Sequence, residues 1–199
     1  MAIPFDPPIV DLTPEEIALE REVYGGLAAS VRRLAESSMR TTVGAEEVTA
    51  ITRVIAELSE RLEKDMVPGN LGLTVTSDGH ARAHGNAVVG MRNPIAVPLE
   101  ITHDPSGRAA SEFHLSALYE GPPGMVHGGV VALIMDQIFG EAAAAGGSPG
   151  MTGTLTIRYT RPTRLGDCSA KAWVDRVEGL KTFVKGALHT CGGGLSNTP

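Results

Sequence analysis

The chain has 199 residues, of which 42% are hydrophobic and 20% are charged, and its formal net charge is −6. This composition predicts a globular protein with one sizeable core and an appendage. The sequence shows no apolar run that we judge long enough to span a bilayer and no basic signal-peptide start. Its two cysteines predict no disulfide framework, so we expect a cytoplasmic protein without a membrane span.

The charge is unevenly distributed along the chain. Residues 1–65 hold seven Lys/Arg and thirteen Asp/Glu, which accounts for the whole excess, whereas residues 151–190 hold seven basic and three acidic side chains. A locally basic segment can hold a small anionic ligand, because the local potential matters more than the net charge. The basic side chains are too sparse to indicate a nucleic-acid partner.

The N-terminal third predicts two helices. Thr13–Glu16 combines a capping threonine, a proline in the first turn and a glutamate three residues on, so a helix is expected from Thr13 to about Ser38. A second helix is expected over Gly44–Glu63. We interpret residues 1–65 as an antiparallel helical hairpin that serves as a packing appendage or dimer arm. A helix-turn-helix is the alternative, but the acidic surface disfavours a DNA partner.

Turn-forming residues dominate the middle of the chain. Residues 66–94 predict a linker with one short strand at Leu71–Thr76. Asn93–Ile101 is extended and broken by prolines, which allows at best an edge strand. After a turn at Asp104–Gly107, the alternation over Arg108–Leu118 predicts another strand.

A nearly continuous apolar run follows, and it predicts the central helix of the domain. The run begins after the Gly-Pro turn of 121–124 and extends to about Gly146. A helix that is apolar all round is buried, yet this one carries Asp136 near its middle. A desolvated carboxylate on a core helix is a candidate functional group, because an unpaired buried charge is costly. The structural alternative is that Asp136 pairs with a tyrosine or an arginine.

The start of this helix is a second candidate. Its unpaired N–H groups at Gly128 and Gly129 could bind an anion or a polarised carbonyl. Gly128 and Asp136 are eight residues apart, which is roughly 12 Å along a helix axis. One substrate carbonyl therefore cannot touch both groups on the same helix. Two copies of the helix packed antiparallel could bring the groups together, so the sequence predicts a dimer.

Three strands are expected after the helix. Residues 151–160 alternate cleanly, with Leu155, Ile157 and Tyr159 on one face, and further strands are expected over about Asp167–Val177 and Lys181–Thr190. An antiparallel sheet wrapped around a central helix is the simplest arrangement for this order, which gives an α+β domain.

Several motifs together resemble one family. They are Gly121–Gly129 (GPPGMVHGG), Asp136, Met151–Pro162 (MTGTLTIRYTRP) and Val177–Lys181 (VEGLK). They look like the hotdog-fold acyl-CoA thioesterases of the phenylacetic-acid-degradation type, which includes mammalian thioesterase-superfamily members. The resemblance covers about residues 95–190 and leaves residues 191–199 as a glycine-rich tail. It implies a homodimer or dimer of dimers with sites between subunits, and no cofactor beyond the CoA of the substrate.

The resemblance also assigns roles to individual residues. Asp136 would be the nucleophile or general base, and the N–H of Gly128, with Gly129 beside it, would polarise the thioester carbonyl. Thr152 would orient the water or the substrate, and His127 would bind the thioester or fix the loop. The residues expected to contact the CoA phosphates are Arg161, Arg164 and Lys181.

Alternative functions and one departure from the family pattern remain. A non-catalytic acyl-CoA binding or sensing module could use the same cleft, and a hotdog hydratase is disfavoured because no histidine follows Asp136 until His189. No metal is expected, since His80, His84 and His103 have no metal-ligand spacing. The family usually has one more strand after Lys181–Thr190, and nothing in residues 191–199 predicts a strand.

Overall fold

The structure is a computed structural model that describes residues 7–97, 99–104 and 106–190. It divides the chain into two compact units, and the boundary in the sequence lies between Gly85 and Asn86. We describe each unit by itself.

The first unit contains the predicted helices. Thr13 and Glu16 form a reciprocal capping box at the start of helix α1 (Pro14–Glu20). A π-helical stretch, Arg21–Gly25, leads directly into α2 (Gly26–Arg40). The irregularity lies at the double glycine, where helix propensity is weakest.

The second predicted helix is confirmed as α3 (Ala45–Leu62). No extended contact joins α2 and α3 within the described residues, so their packing as an antiparallel hairpin stays a prediction. Helix α2 buries only Ala28, and no residue of α3 is buried. Periodicity identified the apolar stripe of each helix, but it does not say what covers the stripe.

A small sheet completes the first unit. Strand β1 (Ile9–Val10) pairs in parallel with β2 (Thr74–Thr76), which pairs antiparallel with β3 (Ala81–Arg82). Arg82 forms an ion pair with Glu20 at the end of α1. The segment predicted as a linker, 66–94, is therefore divided. Its first part supplies β2 and β3, and its last part belongs to the second unit, where Val88 lies in the core.

The second unit is a four-stranded antiparallel sheet packed on one helix. In spatial order the strands are β4 (Glu100–Asp104), β5 (Arg108–Leu115), β6 (Gly166–Glu178) and β7 (Lys181–Thr190). Strand β4 is an edge strand that begins only at Glu100, so most of the predicted segment, Asn93–Ile101, precedes it. The predicted turn is also present, because Gly107 adopts a φ of 76° between β4 and β5. A single 3₁₀ turn, Ala117–Tyr119, follows β5.

Helix α4 (Gly128–Ala145) is the central helix of this unit. Ile134, Ile138 and Ala142 on its inner face are 0% exposed, in the same core cluster as Leu115 of β5. By length and composition alone α4 could cross a membrane, with 18 residues and a mean hydropathy of 1.3. One helix of this kind is weak evidence for a membrane span, so the absence of a span stays a prediction. The burial of α4 against the sheet accounts for its apolar sequence.

The segment predicted as the first strand after the helix, 151–160, forms no ladder with any described strand. Its alternation is partly visible in burial, because Leu155 and Ile157 are half-buried while their neighbours are exposed. A strand needs a partner for its backbone hydrogen bonds, and side-chain alternation does not specify one. The predicted tail, 191–199, lies outside the described residues.

Candidate active site

The start of α4 is shaped by His127. Its backbone is extended (φ −60°, ψ 132°), and its ring Nδ1 accepts a hydrogen bond from the N–H of Gly129 at 3.0 Å. The backbone carbonyl of His127 accepts from the N–H of Val130 at 2.9 Å. Because Nδ1 is the acceptor, the neutral ring carries its proton on Nε2. His127 is therefore the N-cap of the core helix.

A tight loop holds this cap in place. The N–H of His127 donates to the carbonyl of Tyr119 at 2.9 Å, and the N–H of Gly121 donates to the carbonyl of Met125 at 2.8 Å. A Cβ added at Gly121 would lie 2.8 Å from the Cα of His127, which no real side chain tolerates. The glycine-proline motif therefore brings two backbone segments closer than a side chain would allow.

One amide at the helix start remains available to a ligand. The N–H of Gly129 is taken by His127, whereas the N–H of Gly128 has no partner among the described residues. The carbonyl of Gly128 accepts a hydrogen bond from the hydroxyl of Tyr159 at 2.8 Å. We expected Tyr159 on the core side of a strand, but it is 57% exposed. Sequence reasoning missed this contact, because side-chain alternation carries no information about a hydroxyl's partner.

Asp136 lies half-buried on α4, and its Oδ1 atom is buried without a hydrogen-bond partner in the part of the chain that the structure describes. The structural alternative, in which this carboxylate pairs with a tyrosine or an arginine, is therefore not what the described residues show. Each buried polar group without a partner calls for an explanation, and a bound substrate or water is one such explanation.

A cleft opens beside this carboxylate. Its volume is about 480 Å³, and its walls are the outer face of α4 and the segment that follows the helix. The lining residues are Gly129, Ala132, Leu133, Asp136, Thr152, Gly153, Thr154 and Leu155. Three residues predicted from the sequence, Gly129, Asp136 and Thr152, thus line the same cleft. Gly128 and His127 lie outside it, about 12 Å from Asp136 along the helix.

The three basic residues predicted for the CoA phosphates do not converge in one chain. Arg161 and Arg164 precede β6, whereas Lys181 begins β7 and pairs in register with Glu178 at the far end of β6. Twelve residue steps along β6 correspond to roughly 40 Å. All three side chains are exposed. A phosphate site that includes Lys181 together with either arginine would therefore need a second subunit.

The histidines considered for a metal have carboxylate neighbours instead. His80 lies 3.1 Å from Asp78, and the Nε2 atom of His103 lies 2.9 Å from a carboxylate oxygen of Glu141. Within the described ranges no group of three or more His, Cys, Asp or Glu side chains could hold a metal ion.

This geometry defines a class: an α+β domain with a carboxylate in a cleft beside its core helix. A sequence profile described as the thioesterase superfamily matches residues 123–196. A crystal structure of a thioesterase superfamily protein superposes with a TM-score of 0.75 and 29% identity, over 84% of this chain and 87% of that one. Residues 123–196 are therefore similar to the thioesterase superfamily, and the predicted hotdog fold is confirmed.

Two curated proteins are similar to part of this chain, and both are named acyl-coenzyme A thioesterase THEM4. The Xenopus laevis protein is 39% identical over 66 residues, which is 32% of this chain and 29% of the relative. The Mus musculus protein is 36% identical over 84 residues, which is 42% of this chain and 36% of the relative. The matched part thus spans about a third of the length of each curated relative.

Proposed function

We propose that this chain is an acyl-CoA thioesterase, which hydrolyses an acyl-CoA thioester to the free acid and CoA. The observation that carries the proposal is the carboxylate of Asp136, whose Oδ1 atom is buried, without a described partner, beside a 480 Å³ cleft. A carboxylate held in that way is available to a water molecule or a substrate carbon.

In the proposed reaction Asp136 acts as a base or as a nucleophile, and a separate hydrogen-bond donor stabilises the charge on the carbonyl oxygen. As a base, Asp136 takes a proton from water while the water oxygen bonds to the thioester carbon. The carbon–sulfur bond then breaks, and the CoA thiolate takes up the proton. As a nucleophile, Asp136 would bond to the thioester carbon and the carbon–sulfur bond would break, which releases the CoA thiolate and leaves an anhydride. Water would then hydrolyse the anhydride to the free acid and the Asp136 carboxylate, and the proton released from the water would go to the thiolate. In both routes negative charge develops on the carbonyl oxygen and needs a donor.

We propose that the donor is the N–H of Gly128 from a second copy of the chain. Within one chain the two groups are about 12 Å apart along α4, whereas an antiparallel pair of α4 helices would bring them together. Two features support such a pair. Leu133 in the cleft wall is 42% exposed and Met151 is 86% exposed. The unpaired segment 151–160 could extend a ladder across the two copies. A homodimer or a dimer of dimers follows from this proposal.

The remaining residues take supporting roles. Thr152, in the wall opposite α4, would orient the attacking water or the substrate. His127 sets the helix start, and Tyr159 anchors the Gly128 peptide through its carbonyl. Arg161 and Arg164 from one subunit, with Lys181 from another, would meet the phosphates of CoA. We also propose a cytoplasmic location, which the low cysteine content of the sequence supports, with two cysteines in 199 residues.

A panel of acyl-CoA thioesters with thiol detection tests the activity. The isosteric Asp136→Asn variant should lose about a hundredfold or more in kcat while CoA binding is retained. Asp167→Asn is the matched control, because it removes one negative charge from an exposed carboxylate that pairs with His114 at 2.7 Å. Turnover by Asp136→Asn at the wild-type rate would refute the assignment. CoA binding by the wild-type chain without thiol release from any thioester would favour the binding-module alternative.

A second experiment tests the composite site. Asp136→Asn and Gly128→Pro variants, each tagged differently, are purified alone and then mixed, since Pro removes the donor N–H. If each site uses one residue from each chain, mixed dimers should contain one intact site and regain part of the wild-type activity. No recovery in dimers that have demonstrably exchanged subunits would place both groups in one chain and overturn the composite site.

A further inference from the structure

The apolar stripes of α2 and α3 have the spacing of a helix–helix seam, yet the two helices share no extended contact within the described residues. In α2 the stripe is Leu27, Val31 and Leu34, and in α3 it is Val48, Ile51, Ile55, Leu58 and Leu62. Both sets follow the alternating three- and four-residue spacing of a coiled-coil seam. Such a seam is typical of a helix that packs against another helix along its length.

Most of these side chains are exposed, although Ile55 is half-buried. Leu27 is 41% exposed, Leu34 is 38% exposed and Leu58 is 46% exposed. In α2 the buried residue is instead the small Ala28, at 3%. Contiguous apolar surfaces of this kind mark interaction sites. We call the stripe residues of the two helices together the arm surface.

The net charges of the two helices favour the pairing of α2 from one chain with α3 from another. Helix α2 carries three arginines and one glutamate, for a net charge of +2, whereas α3 carries two arginines and four glutamates, for a net charge of −2. Pairing α2 with α2, or α3 with α3, across two chains would bring like charges together. Pairing α2 of one chain with α3 of another brings opposite charges together.

The residues beside the seam permit close packing. Ser30 and Ser37 flank the seam of α2, and Thr52 and Ser59 flank that of α3. The hydroxyls of Ser30, Thr52 and Ser59 donate to backbone carbonyls four residues earlier in their own helices. These side chains are small and have a partner within their own helix, so they need no partner across the interface.

We propose that the arm surface is an interface between two copies of this chain, in which α2 of each copy packs against α3 of the other. The interface is separate from the catalytic one, because it uses only residues 26–62. It does not depend on the thioesterase reaction. It would also explain why two amphipathic helices of one unit share no extended contact within a chain.

The test uses the full-length protein and a matched pair of double variants. Ile51→Glu with Leu58→Glu adds two carboxylates to the arm surface of α3. Thr49→Glu with Ala56→Glu adds the same two charges, also seven residues apart, on another side of the same helix. The readouts are amide hydrogen exchange over residues 45–62 at high and low protein concentration, and the sedimentation-derived mass.

The expected results are specific to the arm surface. Exchange over 45–62 in the wild-type chain and the Thr49/Ala56 variant should slow by about tenfold or more between dilute and concentrated protein. The Ile51/Leu58 variant should lose this concentration dependence. The proposal is overturned if exchange does not depend on concentration, if both double variants behave alike, or if protection requires added lipid vesicles. Thiol release is measured in parallel, so failure of the proposed activity is seen separately.

Discussion

Gly186 on β7 gives a sharp test of how the sheet packs against α4. A Cβ added at this position would lie 2.4 Å from the carbonyl oxygen of Lys171 and 2.6 Å from Cε1 of Phe139. One obstacle is the backbone of the neighbouring strand and the other is a ring on the core helix, so neither gives way easily. Gly186→Ala must therefore separate β7 from β6 or from the helix.

The size of the effect follows from those distances. Ordinary contacts to a Cβ begin near 3.4 Å, so the obstructing atoms must move by close to an ångström. Overpacking of a rigid site costs typically 1–3 kcal/mol, and we expect the free energy of unfolding to fall by about 3 kcal/mol. For a domain of roughly 100 residues, this corresponds to a loss of more than about 10 °C in Tm.

Urea unfolding followed by fluorescence provides the assay. Trp173, the single tryptophan of the chain, pairs with Lys185 next to the mutated position. Gly140→Ala is the control, because a Cβ at Gly140 in α4 meets nothing within 4 Å. That variant should stabilise the protein by up to about 1 kcal/mol, since alanine is the better helix former. Equal midpoints for Gly186→Ala and the wild type would show that β7 does not pack as described.

Three further substitutions test other parts of the structure. Ser111→Ala should leave stability unchanged or raise it by about 1 kcal/mol in urea unfolding, because the buried Ser111 hydroxyl has no described partner; a loss above about 2 kcal/mol would reveal a partner. Tyr159→Phe should lower thiol release without changing the Tm appreciably, since it removes only the hydrogen bond to the Gly128 carbonyl; unchanged kcat would exclude a positioning role. Thr13→Ala should cost about 1 kcal/mol and lower helicity by circular dichroism, because it breaks the capping box with Glu16; identical spectra and midpoints would contradict that cap.

The elements that sequence analysis predicted well carry their signals locally. Thr13 and Glu16 identify a helix start because the cap involves only neighbouring residues. In β6 the buried residues Cys168, Ala170 and Ala172 alternate with more exposed ones, because one face of the strand packs against the core that includes α4. Asp136 was identified because it is a carboxylate within an apolar run. The structure places it in the wall of a cleft.

What could not be predicted depends on residues far away in the sequence. Residues 151–160 alternate like a strand, but no described strand pairs with them. The helices α2 and α3 have apolar stripes, yet no extended contact joins the two helices within the described residues. Lys181 is close to Arg161 and Arg164 in sequence, but the length of β6 separates it from them within one chain, and their joint contact with the CoA phosphates stays a prediction. In each case a local pattern does not identify its distant partner.

The histidine cap at the start of α4 limits what this end of the helix can bind. Nδ1 of His127 occupies the Gly129 amide, so of the two glycine amides only that of Gly128 has no partner among the described residues. An anionic group bound at a helix start usually draws on several backbone amides at once. A single available amide suits one carbonyl oxygen instead, so this helix start is expected to favour an uncharged ester over a free anion.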